Sequence, residues 1–421
     1  MKMLSIRRLN YSLVEPAAWF LVWFSLPFSL KLNSVSVILL LVTILVSFIR
    51  NPFIPDRRKV WYLCFPVILF LWHAKELLFA HPFMQVWKET EKMLPFLVIP
   101  ALFVLSRTSK ESFTKSAMNG LVSALVISGI IMLTAAAVRF GYSGNYNEFI
   151  YHDLAKPFTT GAIYFSLFLL FVLFKLDDPD WMENKPGLKV ALAAYFLILL
   201  LLFASKLMIG LGLPLLVWHY RRLIPVVWKN NKIWLVLLTV LTVIGSVPFV
   251  KRVQILSHPN LELVRSNSFK NDPELNGLNL RLIFWRFGKE ILEENHSWMS
   301  GVGMKQSQGL LNQKFVQYDM YTGTRKGTDT GFLNYNFHNQ FVETLVSVGL
   351  SGLLILILIL CTFADHAGQG IFAPKVFTLV IVGFFFTESV LERQAGIVFF
   401  CLVYAACFIR NNSTSNANGR N

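Results

Sequence analysis

The sequence predicts an all-α integral membrane protein, with about 12 transmembrane helices and a large, partly helical loop between spans 9 and 10. Of its 421 residues, 55% are hydrophobic and only 15% are charged, whereas about a quarter of the residues in a soluble domain are charged. The apolar residues form unbroken runs, such as Leu353–Leu360. A helix crosses the hydrocarbon layer with about 20 apolar residues and satisfies its backbone hydrogen bonds within one segment.

Twelve apolar segments are predicted to span the membrane. They lie near residues 11–30, 34–49, 60–79, 93–106, 119–138, 158–174, 188–204, 207–219, 233–250, 339–362, 373–387 and 395–409. The chain then divides into a transmembrane bundle (1–250), a loop (251–337), the last three spans (338–410) and a polar tail (411–421) that is predicted to be disordered. The stretch near 85–105 is typical of an interfacial helix that leads into a short span.

Lys and Arg concentrate in alternate connecting segments, which predicts the orientation. Placing the N-terminus in the cytoplasm leaves residues 251–337 outside and the C-terminus inside, in agreement with the preference of basic residues for cytoplasmic loops. The formal net charge is +15. In a membrane protein this excess is expected from the topology, so nucleic acid is not an expected partner.

Several charged side chains are predicted at one depth, the outer boundary of the membrane. They are Lys206, Arg281, Arg286, His338, Glu343, Glu388, Glu392 and Arg393. Any one of them could simply extend its charged end into water. Glu343 is harder to explain in this way, because apolar sequence follows it and intramembrane carboxylates usually serve a function or pair with a cation.

This set of residues suits one chemistry. A polyprenyl diphosphate sugar holds its lipid in the bilayer and its diphosphate at the boundary, where Arg forms two-pronged contacts with phosphate oxygens. A neutral histidine accepts a proton from a hydroxyl group near neutral pH. The sequence has no phosphate-binding loop, and its histidines lack metal-ligand spacing. The activated donor would supply the energy for transfer.

The loop and the last spans contain five motifs in a distinctive order. They are Asn279-Leu280-Arg281 with Trp285, then Gly301-Val302-Gly303, then His338-Asn339-Gln340-Phe341, then Gly349-Leu350-Ser351-Gly352-Leu353, and finally the segment 388–400. In this order the chain resembles the superfamily of O-antigen ligases and O-antigen polymerases. These are bacterial integral-membrane glycosyltransferases that use polyprenyl-diphosphate-linked glycans.

The resemblance implies a role for three residues. His338 would be the catalytic base. Arg281 and Lys206 would bind the donor diphosphate, and Lys206 stands where the family usually has Arg. From its charge at the same boundary, Arg286 is also expected to bind the diphosphate. The supporting residues are expected to be Asn339, Glu343, Glu388, Glu392 and Arg393. No metal and no cofactor are expected.

The resemblance also implies the partners and the location. The donor would be an undecaprenyl-diphosphate-linked glycan, and the acceptor would be lipid A-core or another glycan. The enzyme would lie in the bacterial cytoplasmic (inner) membrane, with its active site on the periplasmic face. We favour an O-antigen ligase, and the alternative is an O-antigen or exopolysaccharide polymerase. From another class, a secondary transporter or lipid flippase remains open, although internal repeats typical of transporters are not apparent.

Overall fold

The computed structural model describes most of the chain as helices. It covers residues 11–78, 83–182, 185–203, 205, 207–221, 260–270, 275, 277–324, 329–366 and 375–409, and no strand occurs among them. The predicted span 233–250, the tail 411–421 and Lys206 lie outside these described residues. The all-helical class predicted from the sequence is confirmed for the described part of the chain.

Sixteen α-helices follow one another along the described chain. They are α1 (Tyr11–Ser25), α2 (Leu30–Arg50), α3 (Arg57–Ala74), α4 (Phe83–Glu91), α5 (Pro95–Leu105), α6 (Lys110–Ser143), α7 (Tyr151–Ala155), α8 (Ala162–Lys175), α9 (Pro186–Leu202), α10 (Leu213–Tyr220), α11 (Leu261–Arg265), α12 (Gly277–Glu294), α13 (Met304–Gln317), α14 (Gln340–His366), α15 (Lys375–Thr387) and α16 (Gln394–Ala406). Short 3₁₀ turns cover Lys75–Leu78, Tyr146–Phe149 and Val390–Glu392. A π-helical turn, Met208–Gly212, leads into α10.

Polar residues start two of the longest helices. The Asp56 carboxylate accepts a hydrogen bond from Arg58 N at the start of α3. The Ser109 hydroxyl accepts one from Ser112 N at the start of α6. Each side chain satisfies a backbone donor that the first helical turn leaves without an intrahelical partner. The helices that follow then continue without a break, for 34 residues in α6.

Four helical stretches among the described residues are long and apolar enough to cross a membrane. They are Leu30–Arg50, Arg57–Leu78, Lys110–Ser143 and Gln340–His366. Six shorter apolar helices, of 10 to 17 residues, accompany them. In the bundle α1 packs on α6 and α2, while α5 packs on α3 and α16. This apolar architecture is that of a membrane-embedded protein.

The loop helices form a second, smaller core beside the bundle. Three helices, α11, α12 and α13, occur in the described part of the loop, which the sequence predicted to be partly helical. The apolar side of α12, which includes Phe284, Phe287 and Ile291, is buried against Leu311 and Phe315 of α13. Phe337 and Val346 belong to the same buried cluster, so this core reaches the beginning of α14.

The α14 helix is broken at Gly349, where the sequence predicted one continuous span. Gly349 has φ +75° and ψ −175°, a backbone conformation that favours glycine. A Cβ atom at this position would lie 2.3 Å from Met299 O. The break therefore separates a first segment, which starts beside His338, from the long apolar segment that follows it.

The turn between α12 and α13 satisfies the backbone groups that this break exposes. Val302 N and Gly303 N donate to the carbonyls of Val346 and Ser347, each at 2.9 Å, and Leu350 N donates to Trp298 O at 2.8 Å. Orphaned polar groups are costly in an apolar layer. The turn around Gly301 and Gly303 thus forms a main-chain joint with α14, which gives the Gly-x-Gly motif a structural reason.

The end of α3 and the 3₁₀ turn that follows it contact the same joint from the bundle side. Trp72 Nε1 donates to Val348 O at 3.0 Å, and Lys75 Nζ donates to Ser300 O at 3.1 Å. Both Glu76 carboxylate oxygens accept from Met304 N, the first residue of α13. The loop helices are consequently held in a fixed position against the bundle.

Candidate functional site

Each polar residue of the Asn279–Trp285 motif makes a separate contact. Asn279 is buried, and its Oδ1 accepts a hydrogen bond from Asn260 N at 3.1 Å, next to α11. Trp285 Nε1 donates to Phe337 O at 3.1 Å, directly before His338. Arg281 lies between them on α12 and points its guanidinium at the end of α15.

One carboxylate joins Arg281 to His338. Arg281 Nη2 lies 3.1 Å from Glu388 Oε1, and His338 Nδ1 lies 3.2 Å from Glu388 Oε2. The side chains are 27%, 19% and 30% exposed for Arg281, Glu388 and His338 respectively. We call these three residues the Glu388 cluster. It is shielded by protein yet remains accessible to a ligand.

The backbone holds the His338 ring in place. His338 has φ +46°, which is uncommon for a residue with a side chain, and its N–H donates to Asn336 Oδ1 at 3.0 Å. Its ring stacks near that of Phe284, with 6.2 Å between the centroids, and Tyr335 stands edge-on at 5.9 Å. Such constraint is typical of functional positions, where surrounding contacts hold a strained conformation.

Arg281 keeps part of its hydrogen-bonding capacity. Its Nη2 contacts Glu388, its Nε donates to Thr387 O at 3.2 Å, and its Nη1 donates to Gly277 O at 2.9 Å. A guanidinium carries five N–H donors, so these three bonds leave two donors without a protein acceptor among the described residues. Two donors on one planar cation match the oxygens of a phosphate group.

Arg286 lies in a different place, although it is on the same helix. Its Nε donates to Glu290, its Nη1 to the carbonyls of Val264 and Ser266, and its Nη2 to the Tyr318 hydroxyl. Four of its donors are therefore used by protein. The structure does not bring Arg286 together with His338, and its contacts are those of a residue that stabilises the loop core.

The other predicted site residues take several roles. Asn339 caps α14, since its Oδ1 accepts from Phe341 N and Val342 N. Arg393 is exposed at the start of α16, and no hydrogen bond or ion pair joins its side chain to the Glu388 cluster within the described part of the chain. Glu343 and Glu392 lie together beside the His338 segment.

The sequence did not predict the roles of two residues at this site, Glu388 and Asn336. Glu388 was expected only as a supporting residue, but it is the group that connects the predicted base with the predicted cation. Asn336 was not singled out, although it contacts both His338 N and Glu392. The signal for Asn336 was an Asn two residues before the histidine, a spacing that suits a side-chain-to-backbone turn.

The described geometry is therefore a histidine and an arginine on one carboxylate, fixed by a three-helix loop core against a broken apolar helix. No protein-family model matches the chain, and no curated protein matches it significantly. The functional interpretation depends on the residues of this site.

Proposed function

We propose that this protein is a glycosyltransferase that moves a glycan from an undecaprenyl-diphosphate donor to an acceptor hydroxyl. The observation that carries the proposal is the Glu388 carboxylate, which contacts both the imidazole of His338 and the guanidinium of Arg281. A base and a diphosphate-binding cation are thus adjacent. Transfer from a lipid-linked diphosphate needs both groups.

The chemistry follows from the hydrogen bonds. With Nδ1–H of His338 donating to Glu388, the Nε2 lone pair is left to accept the proton of the acceptor hydroxyl. The hydroxyl oxygen bonds to the anomeric carbon while the bond from that carbon to the diphosphate oxygen breaks. The two remaining donors of Arg281 receive the leaving diphosphate, and Glu388 stabilises the imidazolium that forms.

Lys206 is proposed as a second cation for the diphosphate. It lies outside the described residues, and the proposal comes from the resemblance to O-antigen ligases and polymerases. A lysine supplies charge without the planar fork of arginine. Lys206→Arg should therefore support transfer; an inactive Lys206→Arg with normal membrane insertion would contradict this role.

The proposed setting is the bacterial cytoplasmic membrane, with about 12 spans and both termini inside. The apolar helices support a membrane-embedded chain, and the Lys/Arg distribution supports the orientation. Cysteine labelling of intact cells tests it, in a variant without Cys64, Cys361, Cys401 and Cys407. Label should reach exposed Gln317→Cys but not Ser415→Cys. The reverse pattern would place the loop in the cytoplasm and contradict a periplasmic site.

The lipopolysaccharide and glycan profile of a deletion strain tests the proposed reaction. We favour a ligase acting on lipid A-core, and loss of a ligase should leave lipid-linked polymer. Accumulation of single lipid-linked repeat units would indicate a polymerase instead. Purified protein given the lipid-linked donor and acceptor should form the glycosidic product. A protein that moves the donor between vesicle leaflets without forming product would be a flippase, and the transferase proposal would be wrong.

A further inference from the structure

Two glutamates meet next to the Glu388 cluster. Glu343 is in the first turn of α14 and only 8% exposed, and Glu392 ends the 3₁₀ turn between α15 and α16. Their carboxyl groups lie side by side, because the neighbouring residues Asn336 and Phe337 each contact one of them. Two ionised carboxylates at this separation would repel each other, whereas one shared proton would stabilise the contact.

The pair also contacts the segment that carries the proposed base. Asn336 Nδ2 donates to Glu392 Oε2, and Phe337 N lies 3.4 Å from Glu343 Oε2. On the other side, Ser389 Oγ donates to the same Glu343 oxygen at 3.1 Å. The pair therefore stands between the residues before His338 and the residue after Glu388.

From this geometry we propose that Glu343 and Glu392 share one proton, and that the protonated pair positions His338 against Glu388. Glu343 and Glu392 are then positioning residues, and their shared proton makes the site sensitive to pH. The positioning role rests on the transferase function proposed above. The proton sharing does not, since it concerns only the two carboxyl groups.

The surrounding charges favour retention of the proton. Burial raises the pKa of Glu392, while Asn336 and Lys92 oppose the rise. The charge of Lys92 is itself offset by Glu89, which pairs with it at 2.5 Å and acts on Glu392 in the opposite direction. The groups that face Glu343 are Glu392, the Phe337 amide and the Ser389 hydroxyl. No cation is among the groups that face Glu343, and the cation near Glu392, Lys92, is paired with Glu89, so a second buried carboxylate would lack a compensating charge.

The contact between the glutamate pair and the His338 segment should weaken as pH rises. Below the pKa of the pair the proton is present and the contact holds. As pH rises through that pKa, the second carboxylate forms, the two charges repel, and the His338 segment loses its contact with the pair. We therefore expect transfer to decline on the alkaline side of its pH profile, through loss of position.

Infrared spectroscopy of the purified protein tests the shared proton without any assay of transfer. A protonated carboxyl band should be present at pH 7 and disappear at alkaline pH, and its intensity should fall in both Glu343→Gln and Glu392→Gln. The control Glu293→Gln, on the exposed side of α12, should leave the band unchanged. If the two pair variants keep the full band, the shared proton is disproved.

Amide hydrogen exchange of the segment 336–338 tests the positioning role, again independently of transfer. At neutral pH the wild type and Glu392→Gln should exchange at similar rates. At alkaline pH the segment should exchange at least several times faster in the wild type than in Glu392→Gln, because the glutamine side chain at position 392 cannot ionise. If the ratio of the wild-type rate to the Glu392→Gln rate is the same at both pH values, the positioning role is wrong.

Transfer assays complete the test if the proposed function holds. The transfer rate of each protein is divided by its own rate at neutral pH. The pH at which this normalised rate declines should be at least one unit higher in Glu392→Gln than in the wild type. Glu392→Ala should lose more of the neutral rate than Glu392→Gln, since alanine removes the contact altogether. An unchanged alkaline decline in Glu392→Gln would overturn the pH role, whereas absence of transfer in the wild type would overturn only the proposed function.

Discussion

The α12 helix carries two ionic clusters of similar design and different use. In the Glu388 cluster one carboxylate joins Arg281 to His338. In the second, which we call the Glu290 cluster, one carboxylate joins Arg286 to Lys314, with Tyr318 hydrogen-bonded to both Arg286 and Glu290. Both clusters are partly buried, and each contains an arginine from the same helix.

The clusters differ in how many arginine N–H donors are used by protein acceptors in the folded chain. Arg286 donates four hydrogen bonds to protein acceptors, whereas Arg281 donates three and shares its carboxylate partner with the His338 imidazole. The Glu290 cluster connects α12 with α13 inside the loop core. We infer that the two clusters differ in function because Arg281 keeps N–H donors for a ligand, and not because they differ in charge.

His338→Ala should have the largest effect on transfer, because it removes the proposed base. We expect a loss of about a thousandfold, within the range for general base catalysis, with donor binding retained through Arg281. Single-turnover transfer and donor binding by purified protein measure the two effects. His296→Ala, an exposed histidine after α12, is the matched control. Near wild-type transfer by His338→Ala would remove the basis for calling the Glu388 cluster reactive.

Arg281→Ala should come next, with a loss of about a hundredfold from reduced stabilisation of the leaving diphosphate. Arg281→Lys should restore only part of the rate, because a point charge does not reproduce the planar fork. Transfer rates and membrane yield of both variants give the comparison. Equal rates for Arg281→Lys and the wild type would mean that charge alone suffices here.

Glu388→Gln should lower transfer by about tenfold, since an amide still occupies the position but no longer stabilises an imidazolium. Its effect should also depend on His338. In the double variant with His338→Ala, the Glu388 substitution should add little, because the two residues act as a unit. Fully additive losses would indicate that Glu388 acts through Arg281 instead.

Arg286→Ala should have the smallest effect on transfer and a clear effect on stability. We expect most of the rate per folded molecule to remain, and the loop core to lose about 2 kcal/mol with the charged hydrogen bonds. Thermal unfolding of the purified variant measures the loss. A rate loss as large as that of Arg281→Ala would erase the distinction between the clusters.

The Glu290 cluster should also respond to acid. Burial tends to raise the pKa of Glu290, but hydrogen bonds from Lys314, Arg286 and Tyr318 lower it overall. A lowered pKa adds stability that is present above the ordinary range for Glu, near 4.3, and is lost as pH falls through the lowered value. Glu290→Gln should therefore show a smaller fall in melting temperature below pH 5 than the wild type.

The sequence predicted those features that depend on local pattern. Apolar runs and helical spacing located α12 and most bundle helices. Residue type placed Arg281 and His338 among eight charged residues at the membrane boundary, and the motif order of the ligase and polymerase superfamily selected these two as ligand and base. The different hydrogen-bond partners of Arg281 and Arg286 were not predictable from the sequence, because they depend on which acceptors the fold brings near each guanidinium. The break at Gly349 was equally hidden, since its carbonyls are satisfied by a turn more than 40 residues earlier in the chain.

The joint between that turn and α14 has a consequence for biogenesis. The ribosome makes Trp298–Gly303 before it makes Gly349, so in the proposed topology the turn would have to cross the bilayer before α14 can form hydrogen bonds with it. Export of the loop and final placement of the predicted span 339–362 would then be coupled steps of assembly. A methyl group at Gly349, meeting Met299 O at 2.3 Å, would act at that stage and expose the nascent protein to membrane quality-control proteases.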